Sequence, residues 1–346
     1  MSLVTAKPHT RTTAEKLQLG FLGAGWIGRH RMKALLDSGV AEAAAIAEVS
    51  EDCMREAATL APKAAQVDSI DALIDENPDG IVIATPSAQH AEQALRALSC
   101  GIPVFCQKPL GCNHTEVGAV VAAARAADRL LDVDLSYRHT EAMRRIRPIV
   151  AGGGIGRVHT VDLVFHNAYG PDKPWFYDPA LSGGGCVIDL GVHLVDIALW
   201  TLDFPKVKHV ESHLSAGGKA LGREQSTVED FAIATLTLET GTIVRLACSW
   251  HLHTGKDAEI AATFYGMEGA LALRNVDGSF YDFIAERYVG TSCERIASPP
   301  DDWGGRAAVH WAQQLARCKH YNPRADEFAE VASVLDRIYG RPVSTQ

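Results

Sequence analysis

Between residues 17 and 135, short apolar runs alternate with longer segments whose apolar positions recur at helical spacing. "LQLGFLG" and "DGIVIATP" are bounded by glycine or proline and rich in aliphatic residues, the pattern of strands buried on both faces. "AEAAAIAEV", "IPVFCQKPL" and "LLDVDLSY" read as further strands, and a sixth is expected near residue 65. Helices are expected between them, at "RHRMKALLDSG", Glu51 to Ala61, "SAQHAEQALRALSCG" and "NHTEVGAVVAAARAADR". Strands alternating with helices through short loops predict a parallel, doubly wound sheet.

The rhythm changes after Arg138. A helix over "EAMRRIRPIVAGG" leads into strands near 157–169, 206–215, 228–238, 241–251, 258–265, 269–274 and 279–285. The later strands follow one another with few helices between them, which predicts a largely antiparallel, open-faced α+β domain. Helical patterns return at about 305–319 and 323–339. The organisation expected is a leader at 1–16, a dinucleotide-binding domain at 17–137, a substrate and oligomerisation domain at 138–322, and a closing helix and tail at 323–346.

Composition narrows the classes. With 47% hydrophobic and 22% charged residues the chain has ample material for globular cores, and its net charge of -9 argues against nucleic acid or an anionic membrane as a partner. No apolar run reads as long enough to span a bilayer, and the N-terminus lacks the apolar core of a secretion signal. The eight cysteines show no CxxC pair and no zinc-finger spacing, so reduced, mostly buried thiols and a cytoplasmic setting are expected.

"GFLGAGWIGRH" carries a GxGxxG pattern at the junction of the first strand and first helix. Gly23 permits the tight turn, Gly25 lets a pyrophosphate approach the backbone, and Gly28 lets the helix pack on the sheet. Trp26 and Ile27 lie within the same turn. Glu48 stands twenty residues beyond Gly28, at the end of the second strand, where a carboxylate binds ribose hydroxyls and repels a 2′-phosphate. NAD is the cofactor expected; Arg29, Arg31 and Arg55 nearby keep NADP open.

The stretch "SGGGCVIDLGVHLVDIALW", residues 182–200, reads as a helix that is apolar all round except for Asp189, His193 and Asp196. At 3.6 residues per turn these three fall within about 60°, a stripe one side chain wide. Such a stripe is the polar wall of a cleft, a narrow solvent-facing edge, a histidine satisfied within the core or, less in keeping with the sequence around it, a metal site; Asp196 is read as structural.

Three segments together resemble one family. "NPDGIVIATPSAQHAEQALRALSCGIPVFCQKPL" is similar to the stretch ending in Glu-Lys-Pro in the glucose–fructose oxidoreductase, inositol dehydrogenase and MocA proteins, "GGGCVIDLGVHLVDIALW" resembles their catalytic helix, and the glycine turn matches their first loop. The ending "EFAEVASVLDRIYGRP" is also similar to their closing helix, so the resemblance runs from residue 17 to 342. It implies hydride transfer between a nicotinamide cofactor and a hydroxyl or carbonyl of a sugar or cyclic polyol. It further implies that Lys108, Asp189 and His193 converge beside the nicotinamide, and that Thr85, Pro86, His90 and Gln107 contact the cofactor. The chain departs from the family at Gln107, which stands where the family has glutamate.

For such a reaction His193 is the natural base, Lys108 stabilises the developing alkoxide, and Asp189 orients the substrate or favours the imidazolium. Without a carboxylate at Gln107, Lys108 is expected to give up its proton more readily and share the base role. Further substrate contacts are expected from Arg138 and Tyr137 after the last strand of the first domain, from His166 at the end of the next strand, and from Asp172, Trp175 and Phe176 in "GPDKPWFYDPALSGGG". "HLHTGKD" and "DDWGGR" are polar loops without an assigned place. A sensor that has lost turnover, and an enzyme that recycles NAD to cleave a glycosidic bond, are the competing readings. The exposed sheet face implies a homodimer or homotetramer.

Overall fold

The computed structural model describes residues 16–222 and 227–343, so the leader read at 1–16 lies, except for its last residue, outside the described residues. Six parallel strands form the first sheet: β1 (Leu17–Leu22), β2 (Ala41–Ala47), β3 (Ala65–Val67), β4 (Gly80–Ile83), β5 (Val104–Cys106) and β6 (Leu131–Val133). Their order is β3-β2-β1-β4-β5-β6, so the winding reverses between β1 and β4. A crevice opens at such a switch point, outside the carboxyl ends of the strands.

The helices of this domain are α1 (Trp26–Asp37), α2 (Glu51–Leu60), α3 (Ile70–Asp75), α4 (Ser87–Ser99) and α5 (His114–Ala127). Side chains cap α2, α3 and α5: Ser50, Ser69 and Asn113 accept from Cys53, Ala72 and Glu116 N–H respectively. By contrast α1 and α4, which start on either side of the switch point, begin at Gly25 and Pro86 with no side-chain cap. Their first N–H groups are left for another acceptor.

The second domain opens with α6 (Glu141–Ala151) and holds nine strands: β7 (Val158–Asn167), β8 (Val207–Ala216), β9 (Lys219–Ala220), β10 (Phe231–Leu238), β11 (Ile243–Ser249), β12 (Ala258–Gly266), β13 (Ala270–Asn275), β14 (Phe283–Val289) and β15 (Ser292–Ala297). The order is β15-β14-β13-β12-β7-β11-β10-β8-β9, antiparallel except where β7 lies parallel to β11. β14 starts four residues later than the sequence suggests, and β9 and β15 were not anticipated, because their residues are mostly exposed and lack an apolar alternation. Along β7, Val161, Leu163 and Phe165 are buried beneath helices, while Asp162 and His166 point to the opposite, open face. On that face Arg245 forms a two-pronged ion pair with Asp162, both bonds at 2.6 Å.

The remaining helices are α7 (Pro179–Ser182), α8 (Val192–Thr201), α9 (Arg306–Arg317) and α10 (Asp326–Ile338). Two corrections follow from them. The continuous helical run Pro179–Thr201 is long and apolar enough to cross a membrane by length and composition, with a mean hydropathy of 1.4 in its most apolar window, but 83% of that window is buried inside the protein. It is a core helix. The helix at α9, assigned to the second domain from sequence order, packs on the first sheet instead: Trp311 meets Phe105 at 5.6 Å, and Ala308, Ala312 and Leu315 join the core of Leu19 and Phe21. Of the thiols, Cys106, Cys112, Cys186 and Cys248 are buried, whereas Cys100, Cys293 and Cys318 are exposed, fewer buried than expected.

Candidate active site

The glycine turn sits at the carboxyl end of β1. Gly23 has φ +85°, and a Cβ there would lie 2.7 Å from the Ala84 carbonyl carbon; a Cβ on Gly28 would lie 2.2 Å from the Gly23 oxygen. Gly25 differs from both, since a Cβ there would meet nothing within 4 Å. The first and third glycines are therefore demanded by the chain itself, and the second borders open space beneath the uncapped start of α1. That is the shape a pyrophosphate requires. Glu48 reaches this turn, accepting from Ala24 N–H at 2.6 Å and from Ser50 N–H at 2.8 Å.

Across the switch point, His90 is wholly buried, with Nδ1 2.7 Å from the Pro109 carbonyl and Nε2 2.7 Å from the Thr85 carbonyl. It fastens the loop after β4 to the loop carrying Lys108. Burial lowers its pKa, and the two carbonyls oppose that shift without reversing it.

Lys108 faces the apolar helix that carries the stripe of Asp189, His193 and Asp196. Residues Val187–Gly191 form a π-turn that runs directly into α8, with Val192 N–H reaching back to the Val187 carbonyl. Wider turns of this kind recur at functional sites. Here the turn presents Asp189 outward: Lys108 Nζ donates to its carboxylate Oδ1 at 2.7 Å and to its backbone carbonyl at 2.8 Å. The indole N–H of Trp250, at the end of β11, donates to Oδ2 at 3.1 Å. One turn on, His193 is almost wholly buried and leans on Tyr137 with ring centroids 4.7 Å apart; its Nδ1 has no hydrogen-bond partner among the described residues. Burial first, then the positive charges of Lys108 and Arg31, hold its pKa well below the ordinary histidine value. It is a neutral imidazole at pH 7.

Gln107 does not touch the lysine head. Its side-chain amide donates to Asp134 Oδ2 at 2.5 Å, and Arg31 Nε donates to the same oxygen at 2.5 Å. A glutamate at 107 would set one buried carboxylate against another. Lys108 keeps a carboxylate partner all the same, in Asp189, which weakens the expectation that Gln107 alone frees its proton.

These groups border a cleft of about 660 Å³ that also takes in Trp26, Ile27, Thr85 and Trp175. Trp175 and Phe176 stack at 3.8 Å on its rim.

Two sequence families match the chain in tandem: "Oxidoreductase family, NAD-binding Rossmann fold" over residues 17–135 and "GFO/IDH/MocA C-terminal domain" over 143–272. The chain belongs to the Gfo/Idh/MocA family. It is an NAD(P)-binding oxidoreductase of the sugar and inositol dehydrogenase type, acting on CH–OH groups. It is similar to a putative UDP-kanosamine synthase oxidoreductase subunit of Amycolatopsis mediterranei, 32% identical over 92% of this chain and 94% of the relative. It is also similar to inositol 2-dehydrogenase 1 of Mycolicibacterium vanbaalenii, 31% identical over 85% of this chain and 89% of that one. Among solved structures, levoglucosan dehydrogenase in complex with NADH and levoglucosan shares the fold, with a TM-score of 0.80, 19% identity, and coverage of 94% of this chain and 97% of that one.

Within this Gfo/Idh/MocA cleft the expected residues divide. Lys108, Asp189, His193, Gln107, Thr85, His90, Trp26, Ile27 and Trp175 line it, with Gly23, Gly25, Gly28, Glu48 and Pro86 at the turns beside it. Three proposed substrate contacts do not. Arg138 is drawn into a buried ion pair with Asp196, donating at 2.5 to 3.1 Å, and bonds Glu327 at 2.8 Å. His166 lies on the open sheet face, bonded to Ser249 Oγ at 2.7 Å and stacked beside Phe231. Asp172 is exposed and pairs with its neighbour Lys173. Asp196 turns away with Arg138, so the three-residue metal set weighed from sequence does not converge.

One wall of the cleft comes from a loop that the sequence left without an assigned place. "DDWGGR" supplies Asp301, Asp302 and Trp303 to the cleft, with Tyr281 beside them. Trp303 packs on Tyr137 at 5.2 Å and donates its indole N–H to the Tyr281 carbonyl at 2.8 Å. Asp301 fixes the loop by accepting from Glu141 N–H at 2.6 Å and pairing with Arg306 at 2.5 Å. The signal available was a tryptophan and two acids between prolines and glycines; what brought it here was the return of α9 to the first domain.

Proposed function

We propose that this enzyme exchanges hydride between a nicotinamide cofactor and a secondary hydroxyl or ketone on a sugar or cyclic polyol, with Lys108 holding the reacting oxygen and His193 exchanging its proton. The observation that carries this reading is the meeting of Lys108, Asp189 and His193 on one wall of a cleft whose other end is the glycine turn. The open space at Gly25 and the uncapped starts of α1 and α4 suit a dinucleotide pyrophosphate, and Glu48 suits a ribose. When bound, the nicotinamide supplies the hydride acceptor or donor.

An ammonium has three N–H donors. Asp189 takes two of them, which fixes the direction of the lysine side chain and leaves the third for a substrate oxygen. As hydride leaves the carbinol carbon, negative charge gathers on that oxygen, and the lysine cation stabilises it. His193, neutral because burial and Lys108 disfavour its charged form, accepts the hydroxyl proton in oxidation and returns it in reduction. Asp189 is a positioning group, itself held by Trp250. Trp175 offers an apolar face to the C–H side of a sugar ring.

NAD is favoured over NADP. Besides the Glu48 carboxylate, the nearby arginines are engaged: Arg29 with Glu56 and the Ala24 carbonyl, Arg31 with Asp134, and Arg55 with Asp52. The enzyme is further proposed to act in the cytoplasm as a homodimer or homotetramer, joined through the open sheet face where Ile233 and Tyr265 are exposed. Light scattering at working concentration checks the assembly, and a single species of monomer mass would contradict it.

The function is tested by incubating the protein with NAD, and separately NADP, against polyols, inositols and aldoses while following reduced nicotinamide by absorbance. Turnover with at least one sugar or polyol, faster with NAD, is expected. Tight dinucleotide binding without turnover across the panel would favour the sensor reading; product without net reduced cofactor would favour internal recycling.

A further inference from the structure

A second cavity, of about 610 Å³, lies behind the catalytic wall and plays no part in the reaction above. The turn Ser136–His139 after β6, α6, α9 and the turn Pro323–Ala325 before α10 meet there, together with residues of β6, α8 and α10. They bring Arg138, Arg144, Arg147, Arg306 and Arg324 to its walls, with His310 beside them. Five guanidiniums around one cavity are unexpected in a chain whose net charge is -9.

Two of these arginines are spoken for. Arg138 is neutralised by Asp196 and Glu327, and Arg306 by Asp301. The other three are not. The acid nearest Arg144 is Glu141 at 3.9 Å, and that carboxylate already bonds Arg145 at 2.7 Å. The acid nearest Arg324 is Glu327 at 3.9 Å, which already bonds Arg138 at 2.8 Å. Arg147 donates Nε to the Trp200 carbonyl and lies over the Trp200 ring, while its acid, the exposed Asp203, stands off at 3.6 Å. Separations of 3.6 Å and more are not hydrogen bonds. The cavity thus presents three guanidiniums whose acidic partners are occupied elsewhere or held in solvent.

Among the described residues the one carboxyl group on the lining is Asp132, which burial raises to a pKa of about 7, so its opposing charge is only partly developed at neutral pH. Gln313, Gln314 and Asn322 add neutral donors at the rim. Planar guanidiniums with unused N–H pairs match the oxygens of phosphate and carboxylate groups, two bonds at a time. A cavity of this volume suits a small molecule.

We propose that this cavity is a second binding site, distinct from the catalytic cleft, for a small polyanion carrying two or more phosphate or carboxylate groups, held by Arg144, Arg147 and Arg324. Two of its arginines reach across to groups on the active-site side. Arg138 grips Asp196 one turn beyond His193 on α8, and Arg306 grips Asp301 in the loop that lines the cleft. An occupant would sit one ion pair away from the catalytic side on two separate paths.

The test is isothermal titration of inorganic pyrophosphate, and in a second arm inorganic phosphate, into the protein with NADH present at saturation so that the dinucleotide's own phosphate site is filled. Pyrophosphate is expected to bind, and more tightly than phosphate. Arg144→Ala and Arg324→Ala should each weaken it by about tenfold or more, the loss of a charge-assisted bond, with NADH affinity and melting temperature unchanged. Phosphate binding as tightly as pyrophosphate would overturn the polyanion. Absence of saturable pyrophosphate binding in the wild type, or binding that the two variants leave unaltered, would overturn the site. Failure of NADH itself to bind would count against the proposed function, and the comparison of wild type with the arginine variants would still decide this proposal.

Discussion

Asp189 and Asp196 stand seven residues apart on one helical run, in the same polar stripe, and meet opposite fates. Asp189 lies in the π-turn at the edge of the cleft, its oxygens divided between a lysine and an indole that both come from other elements. Asp196 lies in regular helix, 1% exposed, with both oxygens gripped by Arg138 and the opening closed by Glu327 from α10. The residue type and the helical face are the same. What differs is the cover: a cleft on one side, a second buried arginine network on the other. A carboxylate beside a cation becomes part of a reaction only where a substrate can reach the pair.

The largest effect expected on the structural side is that of Asp196→Ala. It leaves Arg138 buried with only Glu327 for company, and should cost about 3 kcal/mol or more of stability in denaturant titration. The folded fraction should retain its kcat, and a matching loss of kcat would blur the distinction between the two aspartates. Next, Gln107→Glu sets a second carboxylate against Asp134. Two such groups cannot both ionise freely, so one holds a proton to higher pH. The variant should lose about 2 kcal/mol at pH 8 and less at pH 5, and its pH–rate profile should shift against the wild type.

His193 gives a smaller effect with a definite sign. Its folded pKa lies below its unfolded value, so the unfolded chain binds the proton first as pH falls. The stability it contributes is complete above the unfolded value near 6.5 and drains away below it, at no more than about 1.4 kcal/mol per pH unit. In His193→Gln the decline of the unfolding midpoint between pH 7 and 5 should therefore be shallower than in the wild type. The smallest effect is Trp250→Phe, which removes one hydrogen bond from Asp189 and should lower kcat by about fivefold, roughly 1 kcal/mol, with little change in melting temperature.

Much of this was legible in the chain. Gly-bounded aliphatic runs gave β1 and β4, and the glycine turn between strand and helix gave the cofactor end of the cleft. Lys108, Asp189 and His193 came from the family resemblance and stand together in space. His166 was misplaced although the signal was present: it alternates with Leu163 and Phe165, both buried, and so had to face the other side of the sheet. Other features were not readable locally. Nothing near Gln107 in sequence announces Asp134 as its partner, and the wall from Asp301 to Trp303 depends on α9 crossing back to the first domain. The ion pair that removes Arg138 from the cleft needs α8 and α10 to be packed before it exists. Long-range pairing of charges is decided by tertiary structure, and a strand or helix pattern does not encode it.

The central claim, that the Asp189 side of the helix is chemical, is tested most directly by Lys108→Ala, measured for steady-state turnover and for NADH binding on the same preparation. The account predicts kcat/KM reduced by about a hundredfold or more, with NADH affinity and melting temperature close to wild type. Turnover within a few fold of wild type would contradict it, and would mean that the lysine held by Asp189 is another structural pair like Arg138 and Asp196.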